Sequence, residues 1–346
     1  MSDLGWIMYR FSLQKLVFLL PVVFLLSVIG CSQPETSNHL PALQALTSLH
    51  QSRVTVSGFS SGGYLANQLH LAYPELIEGA AIFSAGPWGC AMKGLSHALM
   101  SCMQTRFPIA DIDDRMAMLH RASRKKEIGD PALLVDDPVY IFYGQKDDVL
   151  KPAVSESLIN FYQTIVASYN IRITAMPQAG HAFPSVLSTQ ACGSEAAPYF
   201  QNCHFDGAAE ALRVLFGQLQ APSDSSTGQL IEFDQRKYYE GKGMLDRGYL
   251  YLPSQCSSGA RECQLHVVLH GCGQSSETLK TVFIEQSGYK RWADSNGIVL
   301  LYPQASKSLV NPQGCWDWWG YEKGHFYARD NPQLSAITGM IKTLAR

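Results

Sequence analysis

The sequence predicts an α/β fold in which a mostly parallel sheet carries helices on both faces. Short β-rich stretches alternate with helical stretches along the chain, which favours parallel pairing of the strands. The stretch 138–143 is a continuous apolar run, as is typical of strands buried on both sides. With 46% hydrophobic and 16% charged residues, the chain can build a large core and is unlike a disordered protein.

The predicted elements fall into two series separated by a polar stretch. The first series contains strands at 53–57, 80–84, 138–143 and 171–175 and helical segments at 62–73, 108–132 and 152–168. The second contains strands at 248–252, 265–269 and 298–302 and a helix around 282–294. The stretch 221–228 between them has the composition of a linker, and no internal repeat is visible.

The charge pattern excludes several classes of protein. The formal net charge is −2 and no run of Lys or Arg stands out, so we predict no nucleic-acid partner. One segment alone is apolar enough for a membrane, which excludes a multi-pass protein.

That segment lies at the start of the chain and is interpreted as a signal peptide over 1–30. Arg10 and Lys15 precede the apolar run 16–29, which is short for a transmembrane helix but suits a signal peptide. The run ends at Cys31 in a pattern that resembles the bacterial lipobox, in which this cysteine is lipid-modified. An ordinary signal peptide is the alternative.

Residues 31–49 are predicted to be a tether between the lipid and the folded part. The true start is Met1 or Met8, since either leaves a basic segment before the apolar run. Ser32 after the cysteine agrees with sorting to the outer membrane. We therefore expect a protein that is exported and lipid-anchored to a bacterial membrane, on its periplasmic or surface face, or is extracellular.

The cysteine count agrees with export. If Cys31 carries lipid, eight cysteines remain, an even number that suggests four disulfides. If neighbouring cysteines pair, the bridges are Cys90–Cys102, Cys192–Cys203, Cys256–Cys263 and the longer Cys272–Cys315. The sequence alone does not choose between this scheme and the many other possible pairings. No pair has CxxC spacing, so neither a metal nor a cofactor is predicted.

Residues 58–62 read GFSSG, the pattern G-x-S-x-G between a predicted strand and a predicted helix. This is the context of a nucleophile elbow, in which a sharp turn exposes the serine. Side chains at positions 58 and 62 would obstruct the turn, and the helix N-terminus favours negative charge. Ser60 is the predicted nucleophile; Ser61 competes with it but lies off the apex.

A serine nucleophile needs a histidine base and a carboxylate that orients the base. Asp147 and Asp148 follow the strand 138–143, at the sheet edge where α/β active sites form. His181 follows the next strand in a glycine-flanked loop. The chain order Ser60, Asp147, His181 is that of α/β-hydrolases, with Asp148 interpreted as a solvated turn residue.

The oxyanion hole indicates that the two halves of the chain share one sheet. One donor should be the N–H of Ser61, and the other should lie in an HG-type loop after a strand. That loop normally precedes the serine, but here it follows the strand 265–269, as His270-Gly271-Cys272-Gly273. This order is the signature of a circular permutation, and it predicts one catalytic domain over 50–346 with 221–228 as a surface connection.

Several motifs in this order resemble the circularly permuted polyhydroxybutyrate depolymerases, including their single-domain fungal extracellular type. They are VSGFSSGGYLANQLHLAYP, FSAGPWGC, GHAFP, YLYLPSQC, LHGCGQ, LYPQA and GCWDWWG, and they span roughly 50–345. The resemblance implies catalytic roles for Ser60, Asp147 and His181, a second oxyanion N–H on Cys272, and pairing of the eight cysteines. The lipobox is a departure from the secreted family members.

The resemblance implies a serine esterase acting on poly(3-hydroxybutyrate) or its oligomers. The C-terminal half also resembles feruloyl- and acetylxylan-esterase modules, so another carboxylesterase is the first alternative. The second is a non-catalytic lipoprotein that binds a ligand in the same crevice. The segment Cys315-Trp316-Asp317-Trp318-Trp319 suits an apolar polyester. In an extended segment Trp316 and Trp318 would face the substrate together, with Trp319 facing away.

Overall fold

The computed structural model describes residues 40–49, 53–223, 227–257, 259, 262–322 and 325–346. Within these ranges the strands are β1 Val54–Phe59, β2 Ala80–Phe83, β3 Val139–Gly144, β4 Ile171–Met176, β5 Phe183–Pro184, β6 Phe200–Gln201, β7 Gln229–Asp234, β8 Arg247–Leu252, β9 Gln264–Leu269 and β10 Ile298–Tyr302. Cys31 and the predicted signal peptide 1–30 lie outside the described residues.

Eight of these strands form one sheet in the order β4-β3-β2-β1-β9-β10-β8-β7. The pairs from β4 to β10 are parallel, and β8 and β7 complete the sheet as antiparallel strands. Strands β5 and β6 form a separate two-stranded parallel sheet. The predicted fold class, a mostly parallel α/β sheet, is confirmed.

The α-helices in the described ranges are α1 Ser61–Ala72, α2 Leu95–Met100, α3 Ile112–Arg124, α4 Pro152–Tyr162, α5 Gly207–Phe216, α6 Ser254–Ser257, α7 Ser276–Leu279, α8 Val282–Gln286, α9 Tyr289–Asn296 and α10 Pro332–Leu344. In addition, 3₁₀ turns occur at Thr47–Leu49, Pro131–Leu134, Ser168–Asn170 and Gln235–Lys237.

The helices cover both faces of the sheet. Helices α1, α4 and α10 contribute to one apolar cluster, which includes Leu65, Leu158 and Ile337. Helices α5, α8 and α9 contribute to a second cluster, which includes Leu212 and Phe283. Alternate residues of a strand point to opposite faces, so Val267 of β9 belongs to the first cluster and Val268 to the second.

Both halves of the chain contribute to the central part of the sheet. Strand β1 lies between β2 of the first half and β9 of the second, with Gly58 paired to both Ile82 and Leu269. The nucleophile strand and the strand before the HG-type loop are therefore direct neighbours, and the two halves share one sheet, as the sequence predicted.

The tether predicted over 31–49 needs a correction from residue 40 onward. Leu43 and Leu49 are buried, the N–H of Leu46 donates to the Leu344 carbonyl, and the Pro41 carbonyl accepts from Asp234. Residues 40–49 are therefore packed on the folded part. Residues 40–49 read LPALQALTSL, and nothing within this short run reveals which distant helix or strand it contacts.

The helices and strands differ from the prediction in two further ways. The helix expected around 282–294 is divided into α8 and α9 at Gly288, whose φ of 88° is unfavourable for residues with a side chain. Strand β7 and helices α5 and α10 were not predicted. Helix α10 begins after Asn331, whose side chain accepts hydrogen bonds from the N–H groups of Gln333 and Leu334, with Pro332 in the first turn.

Within the described part of the chain, every helix is too short or too polar to span a bilayer.

Candidate active site

Ser60 lies at the apex of a sharp turn between β1 and α1. Its backbone has φ 55° and ψ −119°, a conformation that is strained for a residue with a side chain. The N–H of Ser60 donates to the Phe83 carbonyl at 2.9 Å, which fixes the turn to the neighbouring strand β2. The hydroxyl is thereby presented at the carboxyl end of the sheet.

The glycines on either side of the turn are required by close backbone contacts. A Cβ on Gly58 would lie 2.0 Å from the Gly62 carbonyl oxygen, and a Cβ on Gly62 would lie 2.4 Å from the Leu269 carbonyl oxygen. A carbon atom cannot occupy either position without moving the backbone. The glycines therefore let α1 begin directly against β1 and β9.

His181 and Asp147 complete a hydrogen-bonded chain with Ser60. The Nε2 atom of His181 is 2.9 Å from the Ser60 Oγ, and its Nδ1 atom is 2.7 Å from the Asp147 Oδ2. Both partners of the serine are buried, with 6% of His181 and 2% of Asp147 exposed. In the tautomer that protonates Nδ1, His181 donates to Asp147 and accepts from the serine hydroxyl, as a general base must.

The structure distinguishes the two adjacent acids. The second oxygen of Asp147, Oδ1, accepts from the N–H groups of Val149 and Leu150 at 3.0 and 2.6 Å. Asp148 instead points to solvent and pairs with Lys151 at 2.6 Å. Asp147 is therefore the acid that contacts the histidine, and Asp148 is the solvated turn residue that the sequence predicted.

Two residues that sequence reasoning missed hold the loop around His181. Gln201, fully buried in β6, donates to the carbonyls of Gly180 and Ala182 and accepts from the N–H of Gly180. One oxygen of Glu195, Oε1, accepts from the N–H of His181 at 2.7 Å and from that of Asp148 at 2.9 Å. Neither residue lies in a recognisable motif, so no sequence signal pointed to them.

Ser61 and Cys272, the two residues predicted to donate to the oxyanion, both line the cavity beside Ser60. Ser61 is the first residue of α1, and the first N–H groups of a helix have no acceptor within the helix. The loop that carries Cys272 is fixed by Gln274, which accepts from Gly271 and donates to the Pro198 carbonyl. The N–H of Gly273 donates to Gln313.

Four disulfides occur in the described residues, and they follow the pairing of sequence neighbours. They are Cys90–Cys102, Cys192–Cys203, Cys256–Cys263 and Cys272–Cys315. Cys272–Cys315 connects the loop after β9 to the tryptophan-rich segment. Disulfides of this number indicate a protein that folds in an oxidising compartment, which agrees with export.

The serine opens into an apolar cavity of about 330 Å³. Aliphatic and aromatic side chains dominate its lining, which also contains the polar groups of Gln313 and Glu195; the apolar lining includes Phe59, Tyr64, Leu95, Leu99, Met103, Val149, Leu150, Tyr199, Trp318 and Trp319. A cavity of this composition suits an uncharged, largely apolar ligand.

The structure contradicts the predicted orientations of Trp316 and Trp319. Trp318 lines the cavity and stacks on Tyr64, with ring centroids 4.1 Å apart. Trp316 does not reach the cavity: it is completely buried, and its indole N–H donates to the His270 carbonyl at 2.9 Å. Trp319, expected to face away, lines the cavity beside Trp318. The segment is a series of bends rather than a strand, so alternation did not apply.

Buried polar residues shape these bends. Asp317, fully buried, accepts hydrogen bonds from the N–H groups of Gly320 and Tyr321 at 2.8 and 2.9 Å. Asn311, also buried, accepts from the N–H of Cys315 and donates to its carbonyl. These side chains, which the sequence analysis did not single out, turn the chain so that Trp318 and Trp319 line the cavity.

A serine on a strand–turn–helix elbow, followed in the chain by an aspartate and a histidine in hydrogen-bonding order, defines the class of α/β-hydrolases. No family model matches the sequence. Comparison with known proteins nevertheless identifies the family. The chain is 34% identical over 335 residues to the polyhydroxybutyrate depolymerase of Talaromyces funiculosus, covering 92% of this chain and 96% of that protein.

The chain therefore belongs to the polyhydroxybutyrate depolymerase family, whose members are carboxylic ester hydrolases. It is also 35% identical over 321 residues to the poly(3-hydroxybutyrate) depolymerase of Delftia acidovorans, covering 91% of this chain. The chain spans 63% of the length of that relative. A stretch of 54 residues, 16% of the chain, is 44% identical to feruloyl esterase B of Thermothelomyces thermophilus.

Solved structures agree with this assignment. PHB depolymerase from Penicillium funiculosum superposes with a TM-score of 0.82 at 34% identity, covering 88% of this chain and 98% of that chain. A PHB depolymerase complexed with an R3HB trimer gives a TM-score of 0.83 with the same identity and coverage.

Proposed function

We propose that the protein is a serine esterase that hydrolyses poly(3-hydroxybutyrate) or its oligomers through an acyl-enzyme on Ser60. The observation that carries the proposal is the hydrogen-bonded chain of Ser60, His181 and Asp147 at the edge of an apolar cavity. A protein that only binds a ligand would need neither these hydrogen-bonded side chains nor the strained turn at Ser60.

In the acylation step, the Ser60 Oγ attacks the ester carbonyl while His181 takes the hydroxyl proton. The carbonyl oxygen becomes an oxyanion, for which the N–H groups of Ser61 and Cys272 are the proposed donors. The intermediate then loses the alcohol end of the substrate, to which His181 returns the proton. Asp147 orients the imidazole and stabilises its charged form.

In the deacylation step, His181 takes a proton from water, and the resulting hydroxide attacks the acyl carbon on Ser60. Collapse of the second intermediate breaks the bond to Oγ, which recovers its proton from His181. The net reaction consumes one water and gives one acid and one alcohol end.

The polyester assignment rests on the cavity and on the relatives. A poly(3-hydroxybutyrate) segment has methyl groups and ester carbonyls but no charge, which matches a lining dominated by apolar side chains. Two relatives are named as depolymerases of this polymer, and one solved structure is described with an R3HB trimer. We propose Trp318 and Trp319 as the aromatic wall that contacts the chain beyond the scissile ester.

We also propose that the fold is a circularly permuted α/β-hydrolase fold and that the predicted domain 50–346, together with the packed residues 40–49, forms one catalytic domain. The support is the sheet order: β9, which leads into the loop of Cys272, lies directly beside β1 but follows it in the chain by some two hundred residues. In the usual order the corresponding strand comes before the serine.

We further propose that Cys31 carries a lipid anchor that holds the exported enzyme at a bacterial membrane. The support is the sequence of an apolar run and a cysteine before the folded part. Cys31→Ser should abolish labelling by a fatty-acid probe and release the protein from the membrane fraction, with turnover of a soluble ester intact. Unchanged fractionation of the variant would refute the anchor.

Two assays test the proposed function. Hydrolysis of a p-nitrophenyl ester by the folded part separates an esterase from a binding protein, and Ser60→Ala is the control. Clearing of a poly(3-hydroxybutyrate) suspension, compared with release of ferulate from a feruloyl ester, then separates the polyester from the alternative substrate class. Faster feruloyl release would overturn the polyester assignment.

A further inference from the structure

Glu195 is the one acidic residue among the residues that line the described cavity, and the lining contains no Lys or Arg. It lies between β5 and β6, in the loop that the Cys192–Cys203 disulfide closes. The rest of the lining is apolar apart from Gln313 and the reacting groups. The cavity therefore carries a carboxylate, and its lining supplies no Lys or Arg to neutralise a ligand's acid group.

The position of this carboxylate follows from its hydrogen bonds. Its Oε1 atom accepts from the backbone N–H of His181 and from that of Asp148, so the group is held beside the proposed base. The base protonates the leaving alcohol, so the cavity wall beside the base, which includes Glu195, is the side on which the alcohol end of a bound ester would lie. Asp147, the other nearby acid, is buried behind His181 and hydrogen-bonded to it.

We propose that Glu195 is a specificity-determining residue that selects against oligomers whose free carboxylate lies next to the scissile ester. This inference rests on the proposed ester hydrolysis. In a polyhydroxyalkanoate the acid end is on the alcohol side of the last ester, a few bonds from the leaving oxygen. When that ester is positioned for attack, its free carboxylate approaches the half-exposed carboxylate of Glu195, and two like charges close together repel each other.

The physical consequence is a preference for esters far from the acid end. Interior esters of a polymer present only neutral repeats to Glu195, and so does an oligomer with a neutral cap. A short acid-ended oligomer loses affinity and transition-state stabilisation together, because the repulsion acts in both states. The loss should therefore appear in kcat/KM.

The experiment compares two dimers of (R)-3-hydroxybutyrate, one ending in a free acid and one ending in a primary amide. Each contains one ester, and the two differ by a single charge. For the wild-type protein at low salt, we expect kcat/KM to be about tenfold higher for the amide, as a like charge nearby predicts. Raising the salt to about 1 M should shrink the ratio, because the Debye length falls to about 3 Å.

Glu195→Gln isolates the charge. Both hydrogen bonds use Oε1, so the amide oxygen of glutamine can accept them, while the negative charge is removed. The ratio between the dimers should fall at least threefold, with the remainder due to Asp147. The matched control is Asp148→Asn, which removes an exposed charge outside the cavity and should leave the ratio unchanged.

The outcomes separate the two proposals. Equal kcat/KM for the two dimers in the wild type, or a ratio that Glu195→Gln leaves unchanged, would overturn the role of Glu195 while the esterase activity stands. Absence of hydrolysis of the amide dimer and of a p-nitrophenyl ester would overturn the proposed function itself. The salt series uses the wild-type protein, so the test does not depend on the folding of a variant.

Discussion

The elbow that carries Ser60 and the segment that carries the tryptophans both shape the cavity, but different interactions hold them. The elbow is fixed by backbone packing, since neither Gly58 nor Gly62 has room for a Cβ. The segment 315–320 is fixed by side chains: Asp317 and Asn311 bind its backbone, and a disulfide ties Cys315 to the loop after β9.

This difference between the two regions separates the part of the protein that sets the catalytic geometry from the part that sets the fit of the substrate. The elbow positions a single atom and tolerates no change in its backbone. The tryptophan segment positions surfaces, and each of its bends depends on a buried polar group that can be replaced one at a time. Changes in the elbow should therefore act on the chemical step, and changes in the segment on stability or on the length of substrate accepted.

The largest effect is expected at the apex of the elbow. Ser60→Ala removes the nucleophile and should lower kcat by about 10⁴- to 10⁶-fold with little change in thermal stability. His181→Ala should cost nearly as much, and the double variant little more, because the two residues act as a unit. Steady-state kinetics on a p-nitrophenyl ester measure this. Substantial activity in Ser60→Ala would place the nucleophile elsewhere, with Ser61 the first candidate.

The next effect compares the adjacent acids. Asp147→Asn should lower kcat by about 10³- to 10⁴-fold, because an amide favours the wrong tautomer of His181. Asp148→Asn alters an exposed pair with Lys151 and should change kcat less than about threefold. Measurement of kcat for the two variants under identical conditions shows which of the two acids orients His181. The reverse order would move the orienting acid by one residue.

The two regions also differ in how far the sequence could predict them. The elbow follows a local rule, and the positions of Asp147 and His181 follow from chain order, so the three residues that the sequence singled out are the ones that hydrogen-bond in the structure. The loop of Cys272 was found because its motif is short and contiguous. From its position, the sharing of one sheet by the two halves could be inferred before any coordinates were known.

The conformation of the tryptophan segment could not be predicted because its bends depend on contacts with residues remote in sequence. Gln68 of α1 donates to the carbonyls of Asp317 and Phe326, and Gln333 accepts from the N–H of Asp317. No pattern within 315–320 reveals such partners, so an extended strand was assumed. Glu195 and Gln201 were not predicted for the same reason, since their contacts are with loops that meet only in the folded chain.

A third prediction tests Trp316 as a structural residue. It is fully buried, so Trp316→Ala should lower the free energy of unfolding by about 3–5 kcal/mol. Trp316→Phe should lose less, since it keeps a ring but not the hydrogen bond to His270. Urea unfolding measures both. If Trp316→Ala kept its stability and lost oligomer turnover alone, the residue would contact substrate as first predicted.

A fourth prediction concerns acid stability, which depends on two buried histidines of β9 and its loop. Burial lowers the pKa of His266 to about 3 and that of His270 to about 4. Below about pH 6.5 the unfolded chain binds protons at these histidines while the folded chain does not. Their contribution to stability is therefore complete above about pH 6.5 and is lost as the pH falls toward these lowered values.

The expected slope is about 0.7 kcal/mol per pH unit for each histidine at pH 6.5 and rises toward about 1.4 at pH 5. Urea midpoints between pH 6.5 and 5 measure it in a window above the titration of ordinary carboxyl groups. His266→Gln should lose about half of the slope, and replacement of the exposed His120 should leave it unchanged. A flat profile in this window would show that the two histidines are not buried in neutral form.

The smallest effect is expected at Trp318, where the two regions meet. Its indole stacks on Tyr64, four residues after the nucleophile on α1, and forms a wall of the cavity. Only a substrate that extends beyond the scissile ester reaches this wall. Trp318→Ala should therefore lower kcat/KM for hydroxybutyrate oligomers by about tenfold and that for a short p-nitrophenyl ester much less, because binding energy from remote contacts is lost. Trp316→Phe is the matched control, since it alters an indole of the same segment that does not line the cavity. Equal losses on both substrates in Trp318→Ala would show that the ring supports the elbow through Tyr64 rather than the substrate. The polyester assignment would then rest on the relatives and on the remaining apolar lining.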